Sequence, residues 1–553
     1  MNRRRIRIIA IAAGVLLVSA VTTAGQAPAA PDEAVQPGVA VASSVTAQPT
    51  LAKDYTPAAQ LAPDQLALMR AKLDAAHDAM AANTKPIPGK EDPAAAAGKA
   101  SPSTFAPVSG PSVNAPGDLI IGRNNQNTVA NTNLCGTGST LAEPAAANEG
   151  PNVYYTGNLT HQEFSITGGT LYLCAGAYPA GPVQAPNPFG DTDVIYDHAR
   201  GVTFHSVIYV NAGLTDGVIG INVRNNINGA DNCTYFIDFD PGGTVIPDYP
   251  HLGLSNDFVY FNANRVDLVN GVWLGATIER LSADSMAACL GAGGNIITFT
   301  NPGGQRILVP GHGARDVMYL AWVDTTTQWR VFSWADNSAT VFSTFVAVGT
   351  MTFGATDCRG GVGNVNWHPS TSIVGFPVRV TFGNDFVHAW AEVSNDAGHT
   401  HAYIQGAQFR VGAAQNALTL VQQPQLFFTD RCAGSPNFGA NDRGDLGYSV
   451  AIGGANGGGG PAVAPCVGMK DQFNPGPGGF FCILTVGATH NPTRFGDYFT
   501  VRRQAPCGEY FAATGYGFSG GTALGNVVAV YTEFGRGRDQ QCYLAWRNSI
   551  PAT

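Results

Sequence analysis

Short strand-like stretches recur down this chain, each headed by an acidic residue. Glu143 precedes Pro144-Ala145-Ala146-Ala147, Asp193 precedes Val194-Ile195-Tyr196, and Asp248 precedes Tyr249-Pro250-His251-Leu252. Asp316 precedes Val317-Met318-Tyr319-Leu320, Asp445 precedes Leu446-Gly447-Tyr448, and Asp497 precedes Tyr498-Phe499-Thr500-Val501. Their numbers differ by 50, 55, 68, 129 and 52, so one double-length gap has room for an unmarked unit, with Asn364-Val365-Asn366-Trp367 as its start. About ten residues after each head come a turn and a second aromatic or β-branched run, as where Val194-Ile195-Tyr196 leads to Val202-Thr203-Phe204. Such units are hairpins. A strand-only unit repeated around a closed ring predicts an all-β fold, a β-propeller, whose radial repetition leaves only short sheet edges. Seven blades fit, with inner strands beginning near residues 143, 193, 248, 316, 366, 445 and 497; six blades is the alternative. A strand at Leu119-Ile120-Ile121 is expected to close the ring by pairing into the last blade, which runs on to Cys542-Tyr543-Leu544-Ala545-Trp546. Ankyrin-like or tetratricopeptide-like repeats would need amphipathic helices, and the pattern holds none after Asn83.

Composition narrows the partners. Charged residues are only 12%, while Gly numbers 68 and Pro 35, which suits many turns and packed strands. A net charge of −9 lacks the basic face that nucleic acid or an anionic membrane requires, and leaves cations and neutral sugars open. Arg3-Arg4-Arg5 and Arg7 followed by the apolar run Ile8 to Val21 read as a signal peptide, residues 1–24. The expected address is therefore secreted, extracellular or periplasmic, with no integral span after cleavage and a monomeric state.

All ten cysteines lie after the signal, an even number in an exported chain, so disulfides are expected. Cys466 and Cys482 flank the turn-rich Asn474-Pro475-Gly476-Pro477-Gly478-Gly479 and would lie on neighbouring antiparallel strands. Cys135 with Cys174, Cys233 with Cys289, and Cys507 with Cys542 each fall within or next to one unit, leaving Cys358 with Cys432. Spacing alone leaves other connectivities open. The segment 25–117 is rich in Ala and Pro and reads as a leader, with one short helix near 63–82 built on Leu66, Met69 and Leu73; the propeller is expected over 118–553.

Carboxylates at the same end of each inner strand would crowd one mouth of the channel, where like charges raise pKa values unless a cation or hydrogen-bond donors intervene. Such a ring could hold Ca²⁺ or supply the paired acids of sugar hydrolysis. Equally, each acid could tie down the turn that opens its own strand. Asp191 and Asp193, two apart on one strand, are the expected Ca²⁺ pair. His399 and His401, with His388 and Asp396 nearby, form a minimal zinc pattern that ordinary hairpin histidines also satisfy. Gly517-Phe518-Ser519-Gly520-Gly521 matches a serine-hydrolase elbow in letters, but lacks the strand-to-helix context. Trp273, Trp322, Trp329 and Trp334 are expected in the core more than on a sugar-stacking platform.

The stretches Glu143 to Asn148, Tyr154 to Asn158, Asp248 to Phe261 and Arg494 to Tyr498 resemble secreted bacterial propellers of the sialidase-like (BNR-repeat) superfamily. Ser165-Ile166-Thr167-Gly168-Gly169-Thr170-Leu171-Tyr172 is similar to that superfamily's Asp-box turn, with Thr167 in place of Asp and Tyr172 in place of Trp. The resemblance implies the propeller fold. In the enzymes of that superfamily it also implies an arginine triad, a Tyr nucleophile with its Glu, and an Asp acid/base. The early arginine motif that announces the triad is absent here, so the implied chemistry does not follow the fold. The expected function is an extracellular module that binds glycan or protein ligands without catalysis. A sialidase-like exo-glycoside hydrolase is the alternative, and a structural envelope protein the third reading. The candidate mouth residues are Glu143, Asp191, Asp193, Asp248, Asp316, Asp445, Asp497 and Arg494.

Overall fold

The computed structural model describes residues 39–40, 43–54, 116–128, 143–157, 160–165, 173–174, 178–227, 231–240, 243–299, 307–371, 378–383, 385–474, 480–482, 488–492, 495, 499–521 and 526–549. The signal peptide, the helix expected near 63–82, Cys135, Arg494 and Asp497 lie outside them.

Antiparallel sheets succeed one another along the chain as in a β-propeller. Sheet I spans 145–174, sheet II 187–237, sheet III 246–299, sheet IV 317–347, sheet V 379–426, sheet VI 432–482 and sheet VII 501–536. Sheets II to VII supply six blades, and sheet I lies between VII and II, its first strand against the first strand of sheet II. Val, Ile, Tyr and Phe crowd these strands because branched and aromatic side chains suit a pleated surface buried on both faces. Accordingly Val202–Val210 and Val527–Arg536 are buried along their whole length.

Closure follows the expected route. Leu119–Thr128 pairs antiparallel with Val527–Arg536 as the fourth strand of sheet VII, so the first blade-forming residues and the last share one sheet. Beyond it the chain does not continue as strand. Gln540–Ser549 is a helix, which stacks Tyr543 on Tyr510 and is tied back by Cys507–Cys542. A second, shorter helix, Ala283–Ala287, is capped by the Ser282 side chain.

Two innermost strands begin elsewhere than expected, and a third has a further segment inside it. In sheet IV the strand headed by Asp316 is the innermost paired one, and the non-strand segment Ile307–Gly313 runs along its inner side: Gly311 N–H donates to Tyr319 O, and His312 N–H to Val380 O of sheet V. In sheet V the inner strand is Arg379–Gly383, whereas Val365–Asn366 forms a small ladder with Arg359–Gly360. In sheet VI it is Cys432–Ala440, and Asp445 heads the second strand, Leu446–Gly453. An apolar run headed by an acid looks the same at either position, since second strands are buried as fully as first ones. Antiparallel neighbours start at opposite ends, so Asp445 stands at the opposite end of its sheet from the start of the inner strand Cys432–Ala440.

The leader is more than a spacer. Val39–Ala40 adds to sheet IV, Ser43–Ala47 to sheet III and Pro49–Leu51 to sheet II, each as an extra outermost strand. These strands form a belt across three consecutive blades and cover edges that would otherwise present unpaired backbone groups. Their shortness within an Ala- and Pro-rich stretch hid them, because edge pairing uses backbone groups and needs little from the side chains.

Disulfides Cys233–Cys289, Cys358–Cys432, Cys466–Cys482 and Cys507–Cys542 are formed as expected, while the partner proposed for Cys174 lies outside the described residues.

Candidate functional site

The inner edges of five sheets bring a polar cluster together. Asp193 comes from sheet II, Tyr249 and His251 from the break between Ile246–Asp248 and Leu252–Leu254 of sheet III, His312 from the segment Ile307–Gly313 beside sheet IV, Arg379 from sheet V and Arg502 from sheet VII. Asp193, Tyr249, His251, Arg379 and Arg502 are all buried.

Asp193 is fully engaged. Its Oδ1 accepts from Arg502 Nη2 at 2.7 Å and from Val194 N–H at 2.8 Å; its Oδ2 accepts from Leu252 N–H at 2.9 Å and faces His251 Nδ1 at 3.4 Å. Burial works against the ionised carboxyl, but Arg502, His251 and the Leu252 N–H outweigh it and hold the group well below the usual carboxylate range. His251 is pushed down to about 4, first by burial and then by Arg379, so it is neutral near pH 7. Its neutral tautomer then has one role per nitrogen: Nδ1–H faces Asp193, and Nε2 accepts from Arg379 Nη1 at 3.2 Å. His312, likewise held neutral by burial and by Arg502, accepts from Arg502 Nη1 at 2.8 Å through Nε2.

Arg379 differs from Arg502. It is 4% exposed, and its hydrogen-bond partners are the His251 imidazole and the Tyr249 hydroxyl, both uncharged acceptors. Among the described residues no carboxylate pairs with it. A buried guanidinium without a counter-charge is costly, and an anion supplied from outside would offset that cost. Half-buried Trp273 packs with Tyr249, Ile307 and Val309, and its indole N–H has no partner among the described residues.

Backbone strain marks the same end of the ring. Glu143, Asp191 and Tyr249 adopt φ of 54°, 37° and 57°, a left-handed region that branched or bulky residues avoid. At Asp191 the strain coincides with a bulge: Val207 pairs with Thr192 but Ile208 with Gly190, leaving Asp191 between. Asp191 and Asp193 therefore do not sit as successive same-face residues of a regular strand. Asp191 Oδ2 accepts from Tyr249 N–H at 3.3 Å, while Asp193 is committed to Arg502. Where a Ca²⁺ pair was expected, a guanidinium neutralises one of the two acids. Among the described residues no group of three His, Cys, Asp or Glu side chains is arranged around a metal ion.

The remaining acids are dispersed. Asp248 is buried in the strand Ile246–Asp248. Asp316 accepts from Asn256 Nδ2, and Asp445 from Arg443 and Arg538. The expected histidine strand is a turn: His399 binds Asp396 and stacks on Tyr403, whereas His401 accepts from Asn456 N–H. Trp322, Trp329 and Trp334 are core residues as expected. Arg379 and Arg502 were missed because each lies inside an ordinary strand run, Arg379-Val380-Thr381 and Val501-Arg502-Arg503, with no flanking motif. A charged residue within a strand buried on both faces is the signal that could have found them.

No family model matches the chain, and no curated protein sequence matches it. Solved structures similar to it include the α-L-arabinofuranosidase of Fusarium graminearum, at 10% identity over 64% of this chain and 95% of that one, with a TM-score of 0.36. A neuraminidase-like protein of a flat-faced bat isolate is 10% identical over 60% and 86%, with a TM-score of 0.31. The α-L-arabinanase of Cellvibrio cellulosa is 9% identical over 59% and 92%, with a TM-score of 0.27. The propeller rests on the strand pairing described above and not on these scores.

Proposed function

We propose that the chain is an exported, seven-bladed β-propeller that binds a carboxylate-bearing glycan at the channel mouth, where Arg379 meets Tyr249 and Trp273 packs on Tyr249, and does not cleave it. Arg379 carries the reading, as a buried cation whose partners are both neutral. Half-buried Trp273, packed against Tyr249, adds an aromatic face with an indole N–H, the usual surface against a sugar ring. Positive φ at Glu143, Asp191 and Tyr249 fits a site held in a strained, pre-set shape. Hydrolysis would need two carboxyl groups facing the scissile bond, and Asp193, the carboxylate among the axial cluster, is neutralised by Arg502. Four disulfides suit the oxidising surroundings of an exported protein. Sheet I is read as the seventh blade because its first strand meets sheet II on one side and sheet VII on the other.

Calorimetric titration with uronic-acid oligosaccharides and their neutral, reduced counterparts tests this. Binding of the acidic series alone, lost in Arg379→Met and without release of sugar, is the expected result. Equal binding of the neutral series would overturn the carboxylate assignment, and steady release of monosaccharide would establish the hydrolase reading instead.

A further inference from the structure

Glu279 is a buried carboxyl that the axial site does not use. It lies in the third strand of sheet III, Val272–Ser282, opposite Phe261 on one side and Ile296 on the other. Phe261 and Leu281, which share its face, belong to an apolar cluster with Phe204, Ile219, Ile221, Ile237 and Phe239 of sheet II and the turn after it. Glu279 therefore points into the seam between sheets II and III. It is 1% exposed, and its Oε2 has no hydrogen-bond partner among the described residues.

The charged groups around it offer no relief. Asp238 and Asp240 follow the last strand of sheet II, and Asp216 lies in the turn before the strand Gly217–Asn225. Arg265, from the second strand of sheet III, is directed at Asp240, 3.4 Å away. Asp284 of the short helix pairs with Arg200. The strand Ala292–Phe299 and the belt strand Ser43–Ala47 carry no titratable residue. Burial first, then the charge of Asp238, push the Glu279 carboxyl up to about 8.

Unusual reinforcement spans the same seam. Cys233 of sheet II is bonded to Cys289 of the sheet III segment, and Tyr235 Oη donates to Leu290 O at 2.6 Å. Arg200 Nη2 donates to Asn256 O at 2.7 Å, and the belt crosses from sheet III to sheet II between Ala47 and Pro49.

We propose that the seam between sheets II and III is an alkaline-sensitive joint: loss of the Glu279 proton to solvent leaves a bare carboxylate among apolar side chains and loosens a contact that the disulfide and the belt otherwise hold. A carboxyl with a raised folded-state pKa stabilises fully below its unfolded value, and that stability is lost as pH rises through the folded value.

Thermal unfolding of the full chain between about pH 4 and about pH 9 reads this out, with hydrogen exchange, corrected for intrinsic rate, at 231–237 and 272–282. Wild type and Glu279→Gln should melt together near pH 4.5, diverge as pH rises with the Gln variant the more stable, and run parallel above about 8. Asp238→Asn, which removes a nearby like charge, should narrow that gap, and seam amides of the wild type should exchange faster above about pH 8. Parallel melting curves throughout, or seam exchange that ignores pH, would overturn the proposal. Should Glu279→Gln fail to fold, Asp238→Asn and the wild-type exchange still decide it.

Discussion

Arg502 Nη2 lies 2.7 Å from Asp193 Oδ1, joining sheet VII to sheet II across the channel axis. The ring is therefore closed twice, once at its edge by Leu119–Thr128 pairing into sheet VII and once through its centre by an ion pair. His251 and His312 complete the arrangement as neutral acceptors and donors between the charges.

Asp193→Asn removes one partner of a buried pair and leaves Arg502 uncompensated. The expected cost is about 3–5 kcal/mol, measured by denaturant unfolding. Asp193→Leu with Arg502→Met, which removes both charges, should recover most of it. Because the Asp193 carboxyl is held below its ordinary range, its contribution is present above about pH 4 and lost as pH falls through the folded value, so Asp193→Asn should flatten the acid limb of stability against pH. An acid limb identical in the variant would count against this.

The two axial arginines should behave oppositely. Arg502→Met strands Asp193 and should destabilise by about 3 kcal/mol or more. Arg379→Met removes a cation that has no counter-charge, so without ligand the variant should melt at the wild-type temperature or above it. Melting curves of both variants, with and without an acidic oligosaccharide, separate these outcomes; only Arg502→Met should be destabilised when no ligand is present.

Belt strands can be probed one N–H at a time. Along Ser43–Ala47 successive N–H groups point alternately toward Ala292–Phe299 and away from it, so of Val45→Pro and Thr46→Pro one removes a ladder bond and the other does not. A difference of about 1 kcal/mol or more between the two is expected in denaturant unfolding. Two equally mild variants would mean that the belt contributes little.

Cys233–Cys289 closes a loop with a sequence separation of 56, for which chain entropy suggests a contribution of about 4 kcal/mol. Cys233→Ala with Cys289→Ala should lose much of that and, through the seam it spans, lose more at alkaline pH than at acid pH. Unfolding of the double variant at about pH 5 and about pH 9 checks both statements.

Hairpin rhythm, the closing strand at Leu119 and the four disulfide pairings within the described residues were legible in the sequence. Each depends on local pattern or on nearness along the chain. Strand rank within a sheet was not, since Asp445 heads a second strand that is as apolar as an inner one. The site was half legible. Asp193 was singled out for its spacing, but its partners stand 58 and 309 residues away, at His251 and Arg502, and nothing local to either marks the axis. At Asp191 a bulge, invisible to a two-residue period, breaks the regular alternation with Asp193.

The pairing of Leu119–Thr128 with Val527–Arg536 also sets an order of events in time. The earlier-made strand must wait for the later one, so the ring cannot shut until Val527–Arg536 has been made, and until then the polypeptide keeps an open, sticky flank.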